Sequence, residues 1–136
     1  MTQRPVTALV AEDHPAYLAR VSAALSALGI AVVAATDGAQ AIEVLVSEAP
    51  IDLLVTDLDM PRENGWAVID AWLAGGRSAE TVLMVTGEAD SREVQRRCEA
   101  GRIRLIHKIS LNAQFATAVQ QAVQGIRAQL ATSEGE

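Results

Sequence analysis

Short apolar runs alternate along the chain with segments whose apolar residues recur at helical spacing. The clearest pair begins with the run 51–56, which is almost continuously apolar, as expected for a strand covered on both faces. After a polar loop, apolar residues follow at helical spacing from Trp66. The complete pattern predicts strands at 6–11, 30–35, 51–56, 81–85 and 103–106, and helices that cover 18–28, 41–45, 66–73, 91–100 and 115–130.

Local sequence signals predict several helix ends. Asp37 and Gln40 are three residues apart, as in a capping box, and they predict the start of the second helix. Ser110 is a candidate cap for the last helix, and Gly101 is placed to end the fourth. The fourth helix, 91–100, is short and highly charged, so we expect it to be loosely held.

The number and order of these units predict the fold class. Five strands that alternate with five helices through short connections indicate an α/β fold, a doubly wound five-stranded parallel sheet, because each right-handed crossover covers one sheet face. A chain of 136 residues fits one domain, since single domains usually hold roughly 100 to 200 residues. We expect this domain to cover 1–131, followed by a disordered tail at 132–136.

Composition and charge exclude several classes of protein. Half of the residues are apolar, which argues against a disordered chain. The formal charge of -6 and the pI of about 4.9 argue against non-specific binding to nucleic acid or to an anionic membrane. Acidic residues follow the N-terminus too soon for a signal peptide, and no apolar run approaches the length of a membrane span, so we expect a cytoplasmic protein. Cys98 is the only cysteine, which excludes an internal disulfide framework.

Candidate functional residues follow the apolar runs directly. Ligands of open parallel sheets bind beyond the carboxyl ends of the strands, and the residues found there are Glu12, Asp13, Asp57, Thr86 and Lys108. Taken singly, each also fits a structural role, such as a helix cap or a solvated surface group. Three carboxylates at one sheet edge would repel one another unless a cation neutralised them, and oxygen ligands favour Mg²⁺. The combination therefore predicts a metal site.

The lysine is singular in this chain. Ten of the eleven basic residues are arginines, and Lys108 is the only lysine. A compact ammonium on a long stem suits a point contact to a phosphoryl or carboxylate oxygen, whereas guanidinium favours a two-pronged contact. The alternative is that the only lysine stands at this strand end by chance.

Four motifs together resemble the receiver domain of response regulators in two-component signalling, most closely the chemotaxis-type single-domain regulators. They are LVAEDH at 9–14, LLVTDLDMPRENGW at 53–66, VLMVTGEA at 82–89 and AGRIRLIHK at 100–108. The resemblance covers nearly the whole chain. It implies a flavodoxin-like fold with strand order 2-1-3-4-5.

The resemblance also implies roles for individual residues. Asp57 corresponds to the phosphoacceptor, and Thr86 and Lys108 correspond to the residues that hold the phosphoryl oxygens. The implied Mg²⁺ ligands are the carboxylates of Glu12, Asp13 and Asp57 and the backbone carbonyl of Asp59.

By the same resemblance, the expected function is that of a single-domain response regulator. A phosphohistidine on a sensor histidine kinase or a histidine phosphotransfer protein would donate the phosphoryl group. The protein would catalyse its own phosphorylation and dephosphorylation, with no turnover of an external substrate. A downstream protein would bind the face made by the fourth helix, fifth strand and fifth helix, and neither nucleic acid nor membrane is an expected partner.

Several positions depart from the family pattern. Leu105 stands where an aromatic residue is usual, and Ile109 stands where proline usually follows the lysine. Both favour an alternative, a pseudo-receiver or adaptor that binds its partner independently of phosphorylation. Asp57 and Asp59 also form the D-x-D pair of haloacid-dehalogenase-like phosphatases, but Met60 departs from the expected continuation.

A group of arginines provides a further candidate surface. Arg96, Arg97, Arg102 and Arg104 are close in sequence. They predict either a basic patch that faces an acidic partner or a solvated face.

Overall fold

The computed structural model describes residues 4–47, 49–110 and 112–134. These residues form one five-stranded parallel sheet with strand order β2-β1-β3-β4-β5, so the predicted fold class and strand order are confirmed. The elements are β1 Thr7–Ala11, α1 Pro15–Ala27, β2 Ala31–Ala35, α2 Gly38–Val46, β3 Leu53–Thr56, α3 Gly65–Ala74, β4 Val82–Thr86, α4 Arg92–Gly101, β5 Arg104–His107 and α5 Ala113–Glu134. Short 3-10 turns occupy Ala79–Thr81 and Lys108–Ser110.

Each face of the sheet has its own hydrophobic core. Buried residues of α1 and α5, such as Leu25 and Phe115, pack with one set of strand side chains. Buried residues of α2, α3 and α4, such as Leu45, Trp72 and Cys98, pack with the alternate set. Successive side chains of a strand point to opposite faces, so a strand covered on both faces is buried throughout, as β3 and β4 are, and both are apolar up to their final threonine.

The strand register brings the chemically interesting strand ends to one edge. Ala11 of β1 pairs with Thr56 of β3, and Thr56 pairs with Met84 of β4. Thr86, at the end of β4, pairs with His107 of β5. The residues that follow β1, β3 and β5 are therefore neighbours in space although they are distant in sequence.

The predicted capping box is present in a modified form. Asp37 is the cap of α2, and its carboxylate accepts a 2.8 Å hydrogen bond from the Gln40 N–H. The Gln40 side chain accepts a 2.8 Å bond from the Thr36 N–H, one residue earlier than in the usual reciprocal pair. The cap thus satisfies two backbone donors at the entry to α2.

Two predicted helix ends are wrong by one to three residues. Gly101 belongs to α4, and Arg102 is the left-handed residue after it, with φ of 59°. The Ile103 N–H then donates to the Cys98 carbonyl at 2.8 Å, which closes the helix as the chain enters β5. Ser110 lies in a 3-10 turn rather than at the start of α5, and the Asn112 carbonyl accepts the first helical bond, from Ala116.

The last helix extends further than the sequence pattern indicates. Its backbone is helical to Glu134, which includes 132–134, and residues 135 and 136 lie outside the described part of the chain. The domain boundary at 131 stays a prediction. Within the described residues, no helix combines the length and the hydropathy needed to cross a bilayer.

Candidate functional site

The site lies at the carboxyl edge of the sheet, where β1, β3 and β4 end. Glu12 follows β1 and Asp57 follows β3, and both carboxylates are buried. A buried carboxylate is costly unless it has hydrogen-bond donors or a cation as partners. Thr86 ends β4 and is also buried. Each of these residues ends or directly follows a strand of the central sheet, so the rigid sheet sets its position.

Lys108 joins two of these strand ends. Its ammonium lies 2.8 Å from Oδ2 of Asp57 and 3.0 Å from Oε1 of Glu12. Burial alone would lower the pKa of Lys108, but hydrogen bonds to Asp57 and Glu12 outweigh it and raise the pKa above its ordinary value. Lys108 therefore remains a cation in the site.

The backbone around Asp57 is closely packed. Oδ1 of Asp57 accepts a 2.7 Å hydrogen bond from the Leu58 N–H, so both carboxylate oxygens have a donor. The Thr56 hydroxyl donates to the Asp57 carbonyl at 2.8 Å. Gly65, at the start of α3, donates its N–H to the Leu58 carbonyl at 2.8 Å, and a Cβ at Gly65 would collide with the Asp57 carbonyl oxygen. Only glycine permits this approach of α3 to the loop.

Glu12 is the most electrostatically strained group of the site. Burial, and then the nearby charge of Asp57, raise the pKa of Glu12 from 4.5 to about 7, against the opposing effect of Lys108. The Glu12 carboxylate also accepts a 3.2 Å bond from the His14 N–H. One ammonium does not fully neutralise two buried carboxylates, so the site favours a further cation.

The arrangement of carboxylates fits a hard divalent cation. One oxygen from each of Glu12, Asp13 and Asp57 can be chosen so that all lie within 4.8 Å of one another. Asp13 is exposed while the other two are buried, which leaves the group open to solvent on one side. An all-oxygen donor set of this kind suits Mg²⁺. These three residues would hold such an ion.

Asp59, the other candidate ligand, lies at the rim. Its side chain is exposed, as is that of Glu88. Interaction with Asp59, by side-chain hydrogen bonding first and by charge second, raises the pKa of Glu88 above its ordinary value. The role of the Asp59 carbonyl as a ligand stays a prediction.

Tyr17 is a site residue that the sequence reasoning missed. The Lys108 ammonium lies 4.4 Å from the centre of the Tyr17 ring, a cation–π contact that covers one side of the amine. Tyr17 is the only tyrosine and lies in the first turns of α1, just after the acidic pair. That position in the chain was the available signal.

Comparison with known families agrees with this geometry. The model of the response regulator receiver domain matches residues 8–120, which is most of the chain. This chain belongs to the response regulator receiver domain family. Two-component signalling is therefore its context, and histidine kinases or histidine phosphotransfer proteins are the class of protein with which the family interacts.

Similar curated proteins are much longer than this receiver. Sensor protein EvgS of Escherichia coli K12 is 33% identical over 93 residues, which are 68% of this chain and 8% of that protein. Sensor histidine kinase RcsC of the same strain is also 33% identical over 93 residues, 68% of this chain and 10% of that protein. TorCAD operon transcriptional regulatory protein TorR of E. coli O157:H7 is 30% identical over 82 residues, 60% of this chain and 34% of that protein.

Solved receiver structures share the fold along nearly their whole length. A response regulator receiver protein from Sinorhizobium medicae has a TM-score of 0.76 and 27% identity, covering 92% of this chain and 99% of that chain. Vibrio cholerae chemotaxis protein CheY4 has a TM-score of 0.70 and 22% identity, covering 90% and 99%. The second likeness, at this identity, concerns the fold alone.

Thr86, Leu105 and Ile109 have distinct surroundings at the ends of β4 and β5. The Thr86 hydroxyl accepts a 3.1 Å hydrogen bond from the Glu88 N–H, which ties it to the loop after β4. Leu105 pairs with Met84 and packs partly buried against the core that α2, α3 and α4 cover. Ile109 is 78% exposed. An aliphatic residue thus fills the place of the usual aromatic one, and an apolar side chain projects beside Lys108.

Proposed function

We propose that this receiver accepts a phosphoryl group on Asp57 from a phosphohistidine, in a Mg²⁺-dependent reaction, and thereby switches its binding to a protein. The observation that carries the proposal is the contact of Lys108 with the buried Asp57, beside a carboxylate group suited to a divalent cation. The cytoplasm is the proposed place of action, where the single thiol of Cys98 stays reduced.

The chemistry follows from the positions of these groups. A carboxylate oxygen of Asp57 attacks phosphorus, the bond between phosphorus and the imidazole nitrogen of the donor breaks, and the nitrogen retains the electron pair. Bound Mg²⁺ would offset negative charge on the transferring group. Lys108 is placed to hold a phosphoryl oxygen, since its ammonium already lies against Asp57. Water later hydrolyses the acyl phosphate and restores the carboxylate.

A response at the surface is supported by the weak burial of α4. In this helix only Val94 and Cys98 are buried, so its displacement costs little free energy. Phosphorylation would draw the Thr86 hydroxyl toward the new phosphoryl oxygens and away from the Glu88 N–H. The loop that leads into α4 would then move, and with it the face of α4, β5 and α5 that we expect a downstream protein to bind.

Mass spectrometry of the intact protein tests the proposal. Incubation with Mg²⁺ and acetyl phosphate or phosphoramidate should add one PO₃ unit to the wild-type chain. Asp57→Asn should remain unmodified, whereas Asp70→Asn, an exposed position on α3, should be modified like the wild type. Absence of modification with every donor, or modification that persists in Asp57→Asn, would overturn the proposal.

Leu105 and Ile109 favour a second candidate, an adaptor that does not switch. This candidate predicts partner binding that is the same with and without phosphodonor and in Asp57→Asn. The D-x-D pair of Asp57 and Asp59 points to a third, a phosphatase that turns over external phosphate esters. Sustained release of phosphate from p-nitrophenyl phosphate would support that candidate and exclude the first.

A further inference from the structure

Positive charge is concentrated in one part of this acidic protein. The segment 92–129 contains seven of the eleven basic residues and two of the seventeen acidic ones. Its formal charge is therefore +5, whereas the rest of the chain carries -11. This segment comprises α4, β5 and most of α5, so the charge separation follows the architecture.

Three arginines of α4 and its C-terminal end have no acidic partner among the residues that the structure describes. Arg92, Arg96 and Arg102 are exposed, and in the described part of the chain no carboxylate oxygen lies within 4.0 Å of their guanidinium groups. Arg104 differs, because it is half-buried and donates to the Ala118 carbonyl at 2.8 Å. The predicted basic patch is thus centred on α4 rather than on β5.

Arg97 adds a preorganised group to the same helix. Its guanidinium carbon lies 4.2 Å from the centre of the Trp66 ring, on the neighbouring helix α3. Stacking on an aromatic face leaves the N–H donors at the guanidinium edge free to point outward. A carboxylate that binds there meets a side chain whose conformational freedom is already reduced.

We propose that the arginine patch, defined as Arg92, Arg96, Arg97 and Arg102, binds an acidic segment of a partner protein. Guanidinium groups form two-pronged hydrogen bonds with carboxylates, and the separated charge orients the approach of an acidic partner. The role of that partner as the downstream target of the receiver rests on the proposed function. The binding of an acidic segment to the patch does not depend on phosphorylation of Asp57.

Two other occupants of the patch are less compatible with the charges. A nucleic acid would be repelled by the -11 charge of the remainder of the chain. A second copy docked symmetrically through α4, β5 and α5 would place +5 against +5, with Glu93 and Glu99 as the only acidic residues of each 92–129 segment. An acidic protein segment meets neither obstacle.

Fluorescence anisotropy with a fluorescein-labelled polyglutamate peptide at an ionic strength of about 0.1 M tests the proposal. The wild-type protein should bind the peptide, and Arg96→Glu should weaken binding about fivefold or more. The matched control is Arg127→Glu, which makes the same charge change on α5, beside Leu28 and Ile30 near the opposite edge of the sheet. It should change affinity by less than about twofold, because screening limits the reach of an exposed charge to about 10 Å at moderate salt.

Each contrary result has a defined meaning. If the wild-type protein did not bind the peptide, or if both variants lost affinity equally, the proposal would be overturned. So would tighter Arg96-dependent binding of a single-stranded oligonucleotide of equal charge, or self-association of the protein that Arg96→Glu abolishes in sedimentation. Intact-mass measurement of Asp57 phosphorylation on the same samples separates the two proposals, since either can fail while the other holds.

Discussion

The ammonium of Lys108 lies 2.8 Å from Oδ2 of Asp57, and the pair connects the end of β5 to the end of β3 across the intervening strand β4. The same ammonium lies 3.0 Å from Glu12, so one cation serves two buried carboxylates. The stability of the site therefore depends on charge in a way that simple measurements can test.

Removal of the cation should destabilise the protein in a pH-dependent manner. Lys108→Met leaves Glu12 and Asp57 buried without a counter-charge, which should lower the free energy of unfolding by about 2–3 kcal/mol at pH 8 without Mg²⁺. At pH 5 the loss should be smaller, because Glu12 is then protonated, below its pKa of about 7. Urea unfolding at both pH values measures this, with Arg127→Met as the exposed control. An equal loss at both pH values would contradict the assignment of the effect to carboxylate repulsion.

The raised pKa of Glu12 predicts the pH dependence of stability. Its folded pKa of about 7 exceeds the ordinary value of 4.5, so the folded state binds more protons than the unfolded state between these values. Ionisation of Glu12 thus destabilises the fold progressively as pH rises from 4.5 to 7. Glu12→Gln should be more stable than wild type by about 2 kcal/mol at pH 8 without Mg²⁺, and the advantage should vanish near pH 4. Denaturant titrations in EDTA would refute this if the variant were the less stable protein at pH 8.

Mg²⁺ affinity should follow the same ionisation. Protons compete with the cation for Glu12, so isothermal titration calorimetry should show weaker binding at pH 6 than at pH 8, with proton release on binding. Asp13→Asn should weaken binding about tenfold by removing one carboxylate charge, whereas Asp70→Asn on α3 should not. If Asp13→Asn bound the ion as tightly as wild type, Asp13 would be excluded as a ligand.

Two glycine variants should change stability in opposite directions. Gly65→Ala places a Cβ against the Asp57 carbonyl, and the required backbone shift should cost about 1–3 kcal/mol and slow phosphorylation. Gly125→Ala lies within α5, where the added Cβ meets no heavy atom within 4 Å outside the neighbouring helix backbone, and it should gain up to about 1 kcal/mol through helix propensity. Thermal unfolding and intact-mass phosphorylation rates of both variants provide the measurement. Wild-type behaviour of Gly65→Ala would show that the loop tolerates displacement.

Sequence reasoning succeeded where a residue's role depends on its own stretch of chain. The end of the apolar run at Asp57 and the cap at Asp37 are local signals, and both lie where the sequence predicts. The predicted helix ends at Gly101 and Ser110 were wrong, because the path of the chain into β5 and α5 selects the turn conformation there. Arg102 ends α4 in place of Gly101, and Asn112, in place of Ser110, accepts the first helical bond of α5.

Sequence reasoning did not reach contacts between separate elements. Tyr17 covers Lys108 because the lysine side chain reaches from the end of β5 back to Glu12, beside the first turns of α1. The sequence shows only that Tyr17 follows the acidic pair. Arg104 is not part of the arginine patch because it donates a hydrogen bond to the Ala118 carbonyl of α5. Arg97 lies over the Trp66 ring of α3. These partners depend on how the helices pack against the sheet.

The sequence by itself determined the order of strands and helices, the parallel sheet and the edge at which the acidic residues and the lysine collect. It did so because hydrophobic periodicity and crossover handedness act within each strand–helix unit. Only the tertiary structure decided that one ammonium bridges Asp57 and Glu12 and that the pKa of Glu12 rises to about 7. It also decided that no described carboxylate pairs with the α4 arginines. Those properties arise from burial and from distances between groups remote in the chain, which exist only once the sheet has assembled.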